Sequence, residues 1–205
     1  MHVVIRHYTS DAKNFDEVVA LLRNSFASLI GESRGFVSYV VAQGLDGSSD
    51  FVTTSTFEDR AGTDASVELA AEWAKVNLAK LTLAPPQITV GEVLIDYVKE
   101  HRPARWAVMR TYTGISDVDE IYRRVNANLL PLLAESPGLA SYRLIDAGAG
   151  IGVTSSAYAD RHSAEAAGLI IRQWVKGNLG DLVPDPPAEL LGDIKLRIVP
   201  AGVLV

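Results

Sequence analysis

The 205-residue sequence predicts an α+β fold built from two copies of one βαββαβ unit. Three observations carry this prediction. The octet Glu32–Tyr39 (Glu-Ser-Arg-Gly-Phe-Val-Ser-Tyr) returns as Glu135–Tyr142 (Glu-Ser-Pro-Gly-Leu-Ala-Ser-Tyr), with five of eight residues identical at an offset of 103. The flanks echo at offsets of 104 before it and 101 after it, and each change of offset falls in a loop, where deletions are tolerated. Within each copy, short β-branched runs alternate with stretches of helical periodicity.

In the first copy, Val3–Thr9 reads as a strand. Asn14 opens a helix with Glu17 three residues on, a capping-box pattern, and Val18, Leu21, Leu22, Ser25 and Leu29 form its inward stripe. Gly31–Gly35 ends that helix. Phe36–Ala42 is a second strand, Gly44–Asp50 a turn and Phe51–Phe57 a third strand. A second helix starts around Thr63 or Asp64 and turns Val67, Ala70, Ala71, Ala74, Leu78 and Leu81 inward, until Pro85-Pro86 stops it. Gly91–Val98 is the fourth strand. This order is that of the ferredoxin-like unit. A charged, proline-bearing linker, residues 99–105, divides a first repeat, 1–98, from a second, 106–205.

The second copy keeps the chemistry position by position. Arg6, Tyr8, Asn14 and Glu17 return as Arg110, Tyr112, Asp117 and Glu120. Asp59-Arg60, Trp73, Asn77 and Pro85-Pro86 return as Asp160-Arg161, Trp174, Asn178 and Pro186-Pro187. Pro131 stands where the first copy has Ser28, which predicts a kink. A four-stranded sheet with both helices on one face leaves the other face bare. Strand two is apolar on both faces, with Phe36 and Val40 alternating with Val37, Tyr39 and Val41. The simplest arrangement stacks the two bare faces as a pseudo-dimer within one chain, a burial worth on the order of 10 kcal/mol before ordering costs.

The bulk numbers exclude several classes. A net charge of −6 argues against a nucleic-acid partner. The sequence has no cysteine, hence no disulfide or thiolate chemistry, which suits a cytoplasmic protein. Met1–Lys13 lacks the apolar stretch of a signal peptide, and no uncharged run approaches the ~20 residues of a membrane span. No His/Asp/Glu spacing suggests a metal site. Ala147–Gly152 is glycine-rich, but a strand follows it rather than a helix, so it reads as a hairpin turn and not a dinucleotide loop.

A helix ending in Pro-Gly, then an aliphatic residue and Ser-Tyr opening the second strand (Ser136–Tyr142), resembles the antibiotic biosynthesis monooxygenase (ABM) domain family of the dimeric α+β barrel superfamily. An aromatic followed by Asp-Arg at the end of strand three (Phe57–Arg60 and Tyr158–Arg161) is also similar to it. The resemblance implies an intramolecular dimeric α/β barrel of two ferredoxin-like repeats packed sheet to sheet. It also implies oxidation of phenols or quinols with O₂, without metal or flavin. An electron-rich phenolate can itself pass an electron to O₂, leaving the protein to supply a dry pocket and donors for oxyanions. A related branch degrades haem with an Asn, a Trp and a His near the second helix; here neither second helix carries a His beyond His162 at its start.

The candidate site residues each have a bland alternative. Trp73 with Asn77, and Trp174 with Asn178, are either a pocket wall with two donors or a core-edge Trp and a helix-end Asn. Arg6 with Tyr8, and Arg110 with Tyr112, share a strand face; the Arg either neutralises a phenolate or pairs with a carboxylate across the sheet interface. His7, replaced by Thr111 in the second copy, is a general base or merely a hydrogen-bonded strand residue. His162 reads as a surface or capping residue, His2 is terminal, His101 lies in the linker, and Tyr39 and Tyr142 read as packing. Two functions follow: a cofactor-independent monooxygenase acting on a small aromatic molecule, or a non-catalytic small-molecule-binding module. An RNA-recognition module shares the strand order, but the acidic charge and the missing aromatic strand motif disfavour it.

Overall fold

The computed structural model describes residues 1–9, 14–44, 50–81, 84–99, 102–200 and 202–203. The first repeat runs β1 (His2–Tyr8), α1 (Phe15–Leu21), a π-helical turn (Leu22–Phe26), α2 (Ala27–Gly31), β2 (Phe36–Gly44), β3 (Phe51–Phe57), α3 (Arg60–Asn77) and β4 (Gln87–Val98). The second runs β5 (Trp106–Tyr112), α4 (Val118–Arg124), a π-helical turn (Val125–Leu129), α5 (Leu130–Ala134), β6 (Leu139–Gly148), β7 (Ile151–Tyr158), α6 (Arg161–Asn178) and β8 (Ala188–Val199), with a short β9 (Gly202–Val203). Two ferredoxin-like βαββαβ repeats are therefore present. His101 and residues 45–49 of the expected Gly44–Asp50 turn lie outside the described residues.

The repeats divide the sequence at the linker, but the compact units divide it elsewhere. One unit comprises residues 1–91 with 192–205, and the other residues 92–191. The fourth strand of each repeat thus begins in one unit and ends in the other. In the first unit, β3 pairs antiparallel with β1 on one side and β2 on the other, and the end of β8 pairs with β2 from Tyr39↔Ile198 to Gly44↔Gly192. Leu196 and Ile198 accordingly join the core formed by Phe15, Val18, Phe26, Ile30 and Tyr39. In the second unit, β7 pairs with β5 and β6, and the end of β4 pairs with β6 from Glu92↔Asp146 to Val98↔Ser141, which brings Ile95 into that core.

The octet that marks the repeat is a helix stop. Gly35 and Gly138 adopt φ of 69° and 74°, a conformation that glycine takes without steric cost. A Cβ on Gly138 would lie 2.3 Å from Ser163 Oγ, so close packing of α6 against this turn also demands glycine. The Asp-Arg motif is a helix start: Asp59 accepts a hydrogen bond from Gly62 N, and Asp160 from Ser163 N, each at 2.8 Å. The second helix therefore begins at Arg60, three residues before the expected Thr63. Of its expected inward residues, Ala70, Ala74, Leu78 and Leu81 pack against the core while Ala71 is exposed, and the buried positions are Thr63, Ser66 and Trp73.

Three further expectations are corrected. Asn14 makes no side-chain cap, whereas its counterpart Asp117 accepts from Glu120 N at 2.9 Å. The expected inward Leu29 is 45% exposed while Ile30 is 0%, because the π turn adds a residue to the winding and delays the stripe by one position. The buried line becomes Val18, Leu22, Phe26 and Ile30, matched by Ile121, Val125, Leu129 and Leu133. At Pro131, where a kink is expected, the proline lies in the first turn of α5, just after the π turn Val125–Leu129; the same turn precedes Ser28 in the first repeat, so proline is not the cause of the turn. The Ala147–Gly152 segment is the hairpin turn expected, with Ala149 and Gly150 both at positive φ between β6 and β7.

Candidate functional site

Each unit has a small cavity between its sheet and the two helices on one face. In the first unit, Arg6 and Tyr8 of β1, Tyr39 of β2, and Phe51 and Thr53 of β3 form the floor. Val18, Leu22 and Phe26 from the α1 side and Ala70, Trp73, Ala74 and Leu78 from the α3 side form the roof. The face of β1 that carries Arg6 and Tyr8 is therefore the helix-facing one. The cavity measures about 20 Å³, room for one water molecule. Leu22 and Phe26, the first and last residues of the π turn, both line it, and π turns recur at functional sites.

Arg6 is the dominant feature. It is 3% exposed, and its guanidinium donates from Nη1 to Ser55 Oγ at 3.0 Å and from Nη2 to the Ser66 carbonyl at 3.1 Å. Both partners are neutral, and among the described residues Arg6 has no carboxylate partner. Burial lowers its pKa from the usual value, while the nearby Tyr39 and Tyr8 phenols oppose that shift. Burial raises both tyrosine pKa values, so the two phenols stay neutral at physiological pH. The Thr53 hydroxyl lies beside the Tyr39 phenol without a hydrogen bond of good geometry. The result is a buried cation on an aromatic-walled cavity with no charge to balance it.

The remaining candidates in the first repeat have settled positions. Trp73 lines the cavity and packs against Phe26 with ring centroids 5.1 Å apart, but its indole N–H is committed to Ser25 Oγ at 3.0 Å. Ser25 in turn donates to the Leu21 carbonyl. Asn77 is not on the cavity; its amide donates to the Trp73 carbonyl at 2.9 Å and closes the last turn of α3. His7 is on the opposite face of β1, half-exposed, with Nε2 3.3 Å from Asp50 Oδ2. Among the described residues no His, Asp or Glu lines this cavity.

The second unit repeats the architecture with different electrostatics. Its cavity, about 30 Å³, is lined by Tyr112, Tyr142, Thr154 and apolar residues including Val125, Leu129 and Ile171. Arg110 is 1% exposed, but its Nε donates to Glu189 Oε2 at 2.6 Å, and it does not line the cavity. Its Nη2 lies against Gly168 of α6, where a Cβ would stand 3.2 Å from it; the first repeat has Val67 at that position. Trp174 is half-buried against the core, and Asn178 is exposed and donates to the Trp174 carbonyl at 2.8 Å. His162 is exposed in the first turn of α6, as its sequence position suggested. The π turns and the Ser25–Trp73 bond have no signature that periodicity reveals, because both depend on how the turn winds.

Among the described residues no three His, Cys, Asp or Glu side chains are placed to share a metal ion, and no helix is long and apolar enough to cross a membrane. The antibiotic biosynthesis monooxygenase family model matches residues 1–71. That span includes Arg6, His7, Tyr8 and Tyr39 and stops short of Trp73. No curated protein sequence matches the chain. Among solved structures, the chain is similar to a candidate monooxygenase from Fusobacterium nucleatum subsp. nucleatum, with a TM-score of 0.77 at 10% identity, covering 99% of this chain and 95% of that one. A candidate monooxygenase from Lactobacillus acidophilus gives 0.72 at 12% identity, covering 100% and 98%. An anthrone oxidase-like protein gives 0.66 at 13%, covering 100% and 95%. At such identities the likeness speaks for the fold alone. The first repeat thus matches the antibiotic biosynthesis monooxygenase family model over residues 1–71, and the chain shares its fold with the solved structures to which it is similar.

Proposed function

We propose that the first repeat oxidises a small phenol or quinol with O₂ in the cavity beside Arg6, without metal or flavin. The observation that carries this reading is the unbalanced guanidinium on an aromatic-walled cavity, inside the span that matches the monooxygenase family. A buried cation lowers the cost of the phenolate, and the phenolate is the form that gives up an electron to O₂. For a phenol with a free ring position, the ring loses two hydrogens and gains one oxygen. The second oxygen atom leaves with those hydrogens as water. Tyr8 and Tyr39, kept neutral by burial, act as donors to oxyanions rather than as bases. Among the described residues no His, Asp or Glu lines the cavity, and the proton leaves to water before the ring is enclosed. The cavity is smaller than an aromatic ring, and entry needs the π-turn residues Leu22 and Phe26 to move.

Oxygen uptake with a panel of hydroquinones tests this reading. One O₂ consumed per hydroxyquinone formed, with water rather than hydrogen peroxide as the second product and lost on Arg6→Met, supports it; no uptake above background sinks it. A second reading, a non-catalytic binding module, draws on the one-water volume and on the commitment of the Trp73 and Asn77 donors to Ser25 and to a carbonyl. It expects saturable binding of the same phenols with no oxygen uptake.

A further inference from the structure

We propose that the two repeats have diverged into one anion-binding site and one self-neutralised site, with Glu189 supplying in the second repeat the counter-charge that an anionic ligand supplies in the first. The inference rests on the Arg6 cavity being the ligand site, but not on oxidation taking place there. Its ligand class is a small aromatic anion, a phenolate above all.

The argument is an internal comparison. Arg6 and Arg110 are equivalent residues on equivalent strands, and both are almost fully buried. The neighbouring strand is β4 for β1 and β8 for β5. At the start of those strands, after the paired prolines and three residues before Gly91 and Gly192, the first repeat has Ile88 and the second has Glu189. Glu189 reaches Arg110 Nε at 2.6 Å and also lies 3.5 Å from Nη1 of the half-exposed Arg172, whose counterpart in the first repeat is Ala71. With this bond made, Ser156, the counterpart of Ser55, has no hydrogen bond to its arginine. Ile88 offers no charge, so Arg6 turns its two Nη groups to Ser55 and the Ser66 carbonyl and remains a cation at the cavity wall. A buried charge with only neutral partners is costly, and folded proteins retain one where a counter-charge arrives from outside. The second cavity has the same aromatic and threonine elements, Tyr112, Tyr142 and Thr154, but no cation on its wall.

Spectrophotometric titration with 4-nitrophenol tests the proposal, because the bound phenolate and the neutral phenol absorb at different wavelengths. The wild-type chain is expected to bind one equivalent as the phenolate. Arg6→Met is expected to weaken binding by about 30-fold or more, the effect of removing one partner of a buried charge pair. Arg110→Met should leave the wild-type value. Ile88→Glu should match the loss in Arg6→Met, by installing the second repeat's counter-ion, whereas Ile88→Gln, similar in size and uncharged, should bind normally. Thermal denaturation of each variant separates loss of the site from loss of the fold. Two equivalents in the wild type, full binding by Arg6→Met or Ile88→Glu, or no binding by the wild-type protein would each overturn the proposal. Binding with this pattern but no oxygen uptake from hydroquinones would leave it standing and remove the oxidation reading. Oxygen uptake that is lost in Arg6→Met but survives Ile88→Glu would do the reverse.

Discussion

At the scale of single residues, the first repeat gives up stability at Arg6 in exchange for a charged cavity wall. Replacing a buried cation that has only neutral partners by a well-packed apolar side chain is commonly neutral or stabilising. Arg6→Met is therefore expected to leave the melting temperature unchanged or raise it while ligand binding is lost. Arg110→Met removes a hydrogen bond between charged groups and should cost about 1–3 kcal/mol in chemical denaturation. A lower melting temperature for Arg6→Met than for Arg110→Met would contradict this account. Part of the contrast was legible beforehand. The shared strand face of Arg6 and Tyr8 follows from a period of two, but which face meets the helices does not, because β1 is buried on both faces: Val3 and Ile5 as well as Val4 and Arg6. The pairing of Ile88 with Glu189 could be read from the offset of 101, yet nothing in the sequence singled it out until the guanidiniums were located. Asn77 and Asn178 were correctly placed near helix ends, and their amides cap their own helices rather than face a ligand.

At the scale of elements, capping predicts three measurable differences. Asp59→Ala and Asp117→Ala each remove a side-chain acceptor from a first-turn N–H and should cost about 1 kcal/mol, whereas Asn14→Ala, with no such bond to lose, should be close to neutral. Urea denaturation of the three variants decides this, and an Asn14 effect equal to that of Asp117 would count against it. Gly138→Ala should destabilise by more than about 1 kcal/mol, because it combines a positive φ with a clash against Ser163. The acidic caps also carry a pH signature. The backbone N–H of Ser163, with its hydroxyl, holds the Asp160 carboxyl below its ordinary range. Arg123 and Arg124 hold Glu120 at about 2. Each folded pKa lies below the unfolded one, so the stabilisation is full above the ordinary carboxylate range and is lost as pH falls through the folded values. These groups are exposed, so the effect is small; hydrogen-exchange protection at the start of α6, taken relative to the intrinsic rate at each pH, should fall on acidification before that in the core strands. The cap at Asp117 was legible as an Asp-x-x-Glu pattern, whereas those at Asp59 and Asp160 were not, because Asp-Arg reads as the end of a strand until the helix start is located. The one-residue shift from Leu29 to Ile30 was not, because a helical period assumes 3.6 residues per turn and the π turn departs from it locally.

At the scale of the whole molecule, the duplication was legible because loops absorbed the length changes and the elements kept their register. The assignment of the fourth strands to the compact units was not, since a strand's partner lies outside its own pattern of side chains. Tyr39 pairs with Ile198 and Val98 pairs with Ser141. The consequence is temporal. As a ribosome delivers the chain from its N-terminus, every residue of the unit spanning 92–191 is available before the unit that contains Met1 has received its last strand. The half translated first is therefore the half completed last, and until then β2 presents an unpaired edge and lacks Leu196 and Ile198. A chain stopped after Leu191 should yield a protease-resistant second unit and a first unit that is cut readily. Equal resistance in both would show that the late strand is dispensable. The residues of the Arg6 cavity are made before those of the second unit, yet the core around them is complete only when Leu196 and Ile198 arrive.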